Sequence, residues 1–367
     1  PPDAHDREWG YIPWESGPGT TMVRHRSVHD LGTLESFLVR ERPRHVYFSA
    51  GRYEDPSAGS MSEKGWLGSD LVFDLDADHL PSVNPTESTY AEMLAACKDA
   101  LLRLLDLLER DFGFEDLTIT FSGGRGYHVH VRDPHVQALD REQRREVVEY
   151  VRGSGLSLES LLEEQPVAGH GRKTPTTRRT LPTDGGWSRR VVSRIRALAA
   201  DLDALEEEAA VERLTDFEGV GRTNAEAVLS VLEENRGAVE AGNVDVHPAF
   251  LPVARAMIDR TVETESSPID EPVTTDTHRL IRLPGSLHGG SGLRVVPLDR
   301  GEIEGFDPLR DAIPETFRGH EIEVEVTAEQ LLEFDGESLS VSPGYRDLPE
   351  YAGIFLMARG WAEKAPE

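Results

Sequence analysis

The stretch Asp70-Leu71-Val72-Phe73-Asp74-Leu75-Asp76-Ala77-Asp78 constrains this chain more than any other. Leu71, Phe73 and Leu75 alternate with Val72, Asp74 and Asp76, the period-2 pattern of a half-buried strand. Asp74 and Asp76 then project from one face, about 6.6 Å apart along the backbone. Two carboxylates so placed repel each other unless a cation lies between them, and hard divalent cations such as Mg²⁺ take oxygen ligands. Alone, a D-x-D strand is weak evidence, because solvated edges and turn entries also produce it. Asp78, close to Pro81, reads as a turn residue of that kind.

A second constellation is Phe121-Ser122-Gly123-Gly124-Arg125-Gly126-Tyr127-His128-Val129-His130-Val131. Leu117, Ile119 and Phe121 alternate before it and Tyr127, Val129 and Val131 after it, which predicts two strands joined by a glycine-rich turn. Glycines there allow positive φ and close approach of a ligand to the backbone. Ser122, Arg125 and His128 would surround the turn, a set that suits a phosphate chain because arginine grips phosphate oxygens bidentately. An ordinary hairpin with solvated polar residues fits the turn equally well. His130 reads as structural. The third constellation runs from Pro268-Ile269-Asp270-Glu271-Pro272 through Arg279-Leu280-Ile281-Arg282-Leu283-Pro284-Gly285-Ser286-Leu287-His288. It reads as an acidic residue leading into a short strand with two arginines, then a Pro-Gly turn. Arg282 and His288 would meet an anion from the side opposite the second motif; a hairpin with solvated basic residues is the plainer reading.

In this order, the D-L-D of Asp74 to Asp76, the S-G-G-R-G-Y-H of Ser122 to His128 and the run from Asp270 to His288 resemble the catalytic small subunit of archaeal and eukaryotic DNA primases. Arg7-Glu8-Trp9-Gly10-Tyr11, Met22-Val23-Arg24-His25 and Val46-Tyr47-Phe48-Ser49 agree as flanks, so the resemblance spans about residues 5 to 365. It implies an α+β fold: a mixed β-sheet catalytic core with flanking helices and an inserted helical subdomain. It implies that Asp74, Asp76 and Asp270 hold Mg²⁺ or Mn²⁺. It implies too that Ser122, Arg125, His128, Arg282 and His288 grip the triphosphate of an incoming nucleotide. The implied activity is template-directed primer synthesis on single-stranded DNA for replication, with DNA polymerase activity besides, in a heterodimer with a large subunit. The family's lysine at the Arg282 position is arginine here, and some relatives carry a second arginine where Gly124 stands.

The residues agree with that chemistry on physical grounds. Attack of a 3′-hydroxyl on an α-phosphate needs two metals and charge neutralisation, not a side-chain nucleophile, and none is evident. Many relatives carry a zinc-binding insertion after the D-L-D strand; here one cysteine, Cys97, and His79 do not make four ligands, so no zinc site is expected. Cys97 instead joins Leu94, Leu101, Leu104, Leu105 and Leu108 on one helical face, with Ser88 as N-cap.

Acidic residues number 67 against 39 basic ones, of which only Lys64, Lys98, Lys173 and Lys364 are lysine; the net charge is −28. Such an excess would oppose nucleic-acid binding at ordinary salt. It fits a halophilic archaeon's cytoplasm, because at about 1 M ionic strength the Debye length is about 3 Å and distant charges barely interact. One cysteine excludes an internal disulfide, and no apolar run reaches a membrane span, so a soluble cytoplasmic protein without membrane partners is expected. The chain begins at Pro1, and relatives carry a further N-terminal helical stretch before the R-E-W-G segment, so a truncated copy is expected.

The motifs place the catalytic core at residues 1–165 and 265–318, an insert at 166–264, and a C-terminal segment at 319–367 that packs on the core. The insert opens with a basic loop, Gly169 to Arg190, holding Arg172, Lys173, Arg178, Arg179, Arg189 and Arg190, which either touches template phosphates or is a plain surface loop. Helices are predicted at Val191–Leu214 and Asn224–Asn235. Between them Gly219-Val220-Gly221 resembles a helix-hairpin-helix turn or a simple helical hairpin. The tail reads as a strand, a helix near Ala328–Phe334 and a last helix ending at Arg359. Two other functions share parts of this pattern. One is a repair or end-joining polymerase of the same superfamily, which would extend primers without starting them; the other is a non-catalytic DNA-binding protein.

Overall fold

Residues 1–14, 21–167 and 176–366 are described by a computed structural model. In chain order the first strands are β1 (Arg7–Pro13), β2 (Val23–Arg26), β3 (Pro43–Tyr53), β4 (Trp66–Ser69), β5 (Leu71–Asp76), β6 (Leu117–Phe121), β7 (Gly126–Val131), β8 (Glu163–Val167), β9 (Thr176–Thr180), β10 (Leu280–Arg282) and β11 (Val296–Leu298). The chain divides into two units. Pro1–Leu102, Phe114–Val148 and Pro268–Glu367 make the first, and Arg103–Gly113 with Glu149–Ser267 the second.

In the first unit two antiparallel sheets carry the motifs, one ordered β10-β3-β1-β2 with β4 on β3, the other β11-β6-β7-β5. The alternation read at residues 71–76 is realised in β5: Leu71, Phe73 and Leu75 are fully buried, while Asp74 and Asp76 are half-buried on the opposite face. Val72, on that second face, packs into a core with Trp9, Phe48 and Ile281. Burying each such side chain contributes about 1.5–3 kcal/mol. The helix Tyr90–Arg110 buries Cys97 completely, its thiol donating to the Leu75 carbonyl at 3.6 Å. Its cap is Thr89, not Ser88: the Thr89 hydroxyl accepts from Glu92 N–H and the Glu92 carboxylate accepts from Thr89 N–H, a reciprocal box that Ser88 cannot close.

Three other local expectations give way. Helix Glu271–Thr275, opened by Asp270 with Pro272 in its first turn, separates Asp270 from β10. Pro is favoured there because its missing N–H is an orphan in any first turn. The tail forms strands β12 (Glu321–Val326), β13 (Gln330–Phe334), β14 (Glu337–Val341), β15 (Gly344–Pro349) and β16 (Ala362–Lys364), with helix Glu350–Ala358 before the last. Residues 330–334 are therefore strand rather than helix. Asp335 and Gly336 both take positive φ (54° and 81°), the two-residue turn that ties β13 to β14.

In the second unit the expected helix at 191–214 is two, Gly186–Asp203 and Glu207–Thr215. Glu206, Glu207 and Glu208 favour a helix N-terminus over a helix interior, which divides it there. Glu207–Thr215 and Arg222–Glu240 form a hairpin around Gly219–Gly221, closed by buried Leu214, Phe217 and Val220. Arg222 at its turn is bound to Glu208 and Glu226. In the basic loop, Arg172 and Lys173 lie outside the described residues. Arg179 is forked on Asp245, and Arg189 and Arg190 are held by Asp111.

Candidate active site

Register builds the site. In the β5–β7 pairing Asp74 stands opposite His128 and Asp76 opposite Gly126, so the carboxylate strand and the end of the glycine-rich turn lie side by side. The pairing is tight enough that a Cβ at Gly126 would sit 1.9 Å from the Leu75 carbonyl oxygen. Gly123 takes φ +77°, and a Cβ there would meet the His288 side chain at 2.6 Å. Asp270 arrives from 194 residues beyond Asp76, its N–H donating to the Asp74 carbonyl at 2.9 Å.

A cleft of about 400 Å³ opens here. Asp74, Asp76, Ser122, His128 and Arg282 line it, together with Met22, Arg24, Tyr47, Asp276, His278 and Arg279. The other three residues chosen from the sequence do not line it. Asp270 is bonded to Asp74, Arg125 is turned onto Asp78, and His288 lies against Gly123 and Gly124. Met22, Arg24, Tyr47, Asp276, His278 and Arg279 are the lining residues that motif reasoning did not choose. Arg24 is aimed by buried Glu8 through a forked pair at 3.0 and 3.2 Å. Its signal was the R-E-W and M-V-R-H flanks, which read only as family marks. Tyr47 lies under the Arg282 guanidinium at 5.9 Å, an aromatic shelf that β3 turns toward the cleft while its neighbours Val46 and Phe48 are buried on the other face.

The electrostatics set acids against bases across the cleft. Burial, with Asp76 and Asp270 beside it, pushes Asp74 up to about 6, against the pull of Arg282 and Arg279. Burial and the charge of Arg282 drive His128 well below its usual range, so at neutral pH its ring is uncharged where its Nε2 sits 3.4 Å from Asp74 Oδ1. His288 is likewise neutral, from burial first and then Arg282 and His45. Arg282 keeps a buried Nε with no partner among the described residues.

Three mutually repelling carboxylates are a donor set that fits a hard divalent cation. Among the described residues no three acidic, histidine or cysteine side chains are yet drawn into a metal cluster. Asp76 Oδ1 instead accepts the Asp78 N–H at 3.2 Å, and Asp74 leans on His128. Asp74 is raised above its ordinary 3.8, so the folded chain holds that proton more tightly than the unfolded one. Without a divalent cation, stability should therefore fall as pH rises from about 4 to about 6, by about 3 kcal/mol. The cation needs the ionised form. Thermal melts should show stabilisation by Mn²⁺ at pH 8 that fades below about pH 6; an equal shift at pH 5 would contradict this account of Asp74.

The model of the DNA primase small subunit family matches residues 73–300. Over its full length the chain is 65% identical to the DNA primase small subunit PriS of Halobacterium salinarum, covering 94% of that protein. The chain belongs to the DNA primase small-subunit family. The corresponding figures are 60% identity and 94% coverage for PriS of Haloarcula marismortui, again across the whole chain. For PriS of Methanococcoides burtonii they are 39% over 98% of this chain and 93% of the relative. Membership makes this primase chain a nucleotidyltransferase of DNA replication, and the α+β fold expected for it stands. The haloarchaeal relatives agree with the acidic, lysine-poor composition. No helix among the described residues is long and apolar enough to cross a membrane.

Proposed function

We propose that this cleft joins nucleotides on a single-stranded DNA template, starting primers without a pre-existing 3′ end, and that the chain works with a primase large subunit. The observation that carries the reading is the register placing Asp74 beside His128, which brings the carboxylates and the glycine-rich turn into one cleft. Asp74, Asp76 and Asp270 would hold Mg²⁺ or Mn²⁺, which when bound lowers the pKa of the attacking 3′-hydroxyl and neutralises charge on the phosphates.

The chain's own side chains then bind and orient. Arg282, stacked on Tyr47 and with a spare N–H, meets the triphosphate as a pre-positioned fork. His128 and His288, being neutral, donate one ring N–H each rather than adding charge, contacts that molar salt screens little. Ser122 supplies a hydroxyl from the cleft wall. Arg125 must leave Asp78 to reach the phosphates, an exchange that the greater charge of a triphosphate favours. Asp270, through its N–H, pins the β5 backbone at Asp74, so the third carboxylate and the first two move as one.

The test is nucleotide incorporation on single-stranded DNA in molar KCl with Mg²⁺ or Mn²⁺, with and without a primer. Unprimed, metal-dependent product is expected. Product only with a primer would favour a repair polymerase, and no product with DNA still bound would favour a binding role or a need for the large subunit.

A further inference from the structure

Behind the glycine-rich turn lies an arginine that the cleft does not include. Arg359 caps the end of helix Glu350–Ala358, its guanidinium carbon 4.5 Å from the Tyr90 ring centre, 4.7 Å from that of Phe355 and 5.2 Å from that of Trp361. The Tyr90 hydroxyl beside it donates to the Gly124 carbonyl at 2.6 Å, so one side chain separates the cation from the turn. His288 also stands against Gly124, its Nε2 3.2 Å from where a Cβ at residue 124 would sit.

Stacking occupies the faces of a guanidinium and leaves its N–H edges for acceptors. Here those edges have no carboxylate: no ion pair joins Arg359 to an acid among the described residues, and its buried Nε has no partner among them. In a chain with 67 acidic residues and 39 basic ones, arginines such as Arg190, Arg222 and Arg236 are each claimed by two acids or more. A cation paired with no acid among the described residues, caged by aromatic rings beside the glycine-rich turn, suits a polyanion.

We infer that Arg359 is a further nucleotide-binding residue, presenting its guanidinium across Gly124 to the outer phosphates of the incoming nucleotide. This rests on reading the Ser122–His128 turn as the triphosphate element. Tyr90 then serves to position both partners, stacking on the cation and fixing the turn's carbonyl.

The test measures primer-extension KM and kcat, together with inhibition by inorganic tripolyphosphate, for Arg359→Gln, Arg359→Lys and Arg125→Gln. Losing one charge-assisted contact should raise the nucleotide KM and the tripolyphosphate Ki of Arg359→Gln about tenfold, the loss falling on these rather than on kcat, with Arg359→Lys restoring most of it. Should Arg359→Gln not fold, Arg359→Met keeps an unbranched stem in the aromatic cage and reads the same loss. Unchanged KM and Ki in the uncharged variants, or a fall in kcat and melting temperature alone, would reduce Arg359 to a packing residue. If Arg125→Gln weakens tripolyphosphate and Arg359→Gln does not, the inference fails while the turn's assignment survives. If neither does, both fall.

Discussion

Asp74→Ala is expected to lower nucleotide incorporation by about 10³-fold or more while leaving the fold intact. The side chain is half-buried on an otherwise well-packed strand, so its loss opens little of the core. Its removal also relieves repulsion. Asp76 and Asp270 both press on Asp74, and burial adds to that cost, so the cation-free variant should melt at or above the temperature of the parent at pH 8. The two readouts therefore move apart, activity down and stability level or up, which a folding defect cannot imitate. Mn²⁺ should no longer raise the melting temperature of the variant. Incorporation within tenfold of the parent would remove Asp74 from the reaction.

Asp70→Ala should do the reverse, costing about 3–5 kcal/mol of stability with catalysis affected only through folding. Asp70 is buried beneath the site, paired with Arg7 at 3.0 Å, Arg132 at 3.0 Å and His130 at 3.1 Å. Burial alone would raise its pKa, yet the His130 hydrogen bond and the Arg7 and Arg132 charges hold it well below the usual carboxylate range. Alanine would leave buried Arg7 without its carboxylate, although its Nη1 still reaches the Ser49 and Ala50 carbonyls at 2.8 and 2.9 Å. Measured against a total stability of about 5–15 kcal/mol, that loss is large. Urea unfolding in molar KCl would check it, because a buried pair is little screened and high salt should not rescue the variant. A midpoint shift worth less than about 1 kcal/mol would show the cluster to be dispensable.

Much of this was legible in the sequence, and the exceptions share a cause. The strand carrying Asp74 and Asp76 showed itself because its period is local, and so did the hairpin of Leu117–Phe121 and Gly126–Val131. What stayed hidden was register, which depends on contacts between distant segments. The opposition of Asp74 and His128 follows from Gly126 fitting under the Leu75 carbonyl, a close approach that no periodicity reveals. Arg24 and Tyr47 passed as flanks because their strands meet the cleft only through pairing in the other sheet. The Asp335-Gly336 hairpin was a local signal overlooked, since Leu331, Leu332 and Phe334 also fit a helical stripe. The break before Glu207 was likewise local, written in three successive glutamates at a helix start.

The distance along the chain between Asp76 and Asp270 has a consequence for the living cell. A ribosome adding about 5–20 residues per second makes the second carboxylate about 10–40 s before the third. During that interval the whole of residues 149–267 is synthesised, enough for the helical unit with its own buried core to fold first. β10, which supplies Arg282, pairs with β3, made more than two hundred residues earlier, and the Asp270 N–H must find the Asp74 carbonyl. The nascent chain therefore carries a half-built site, with two like charges and nothing to orient Arg282 against them. On the proposed reading, the site is complete only once Asp270 and Arg282 have both been made.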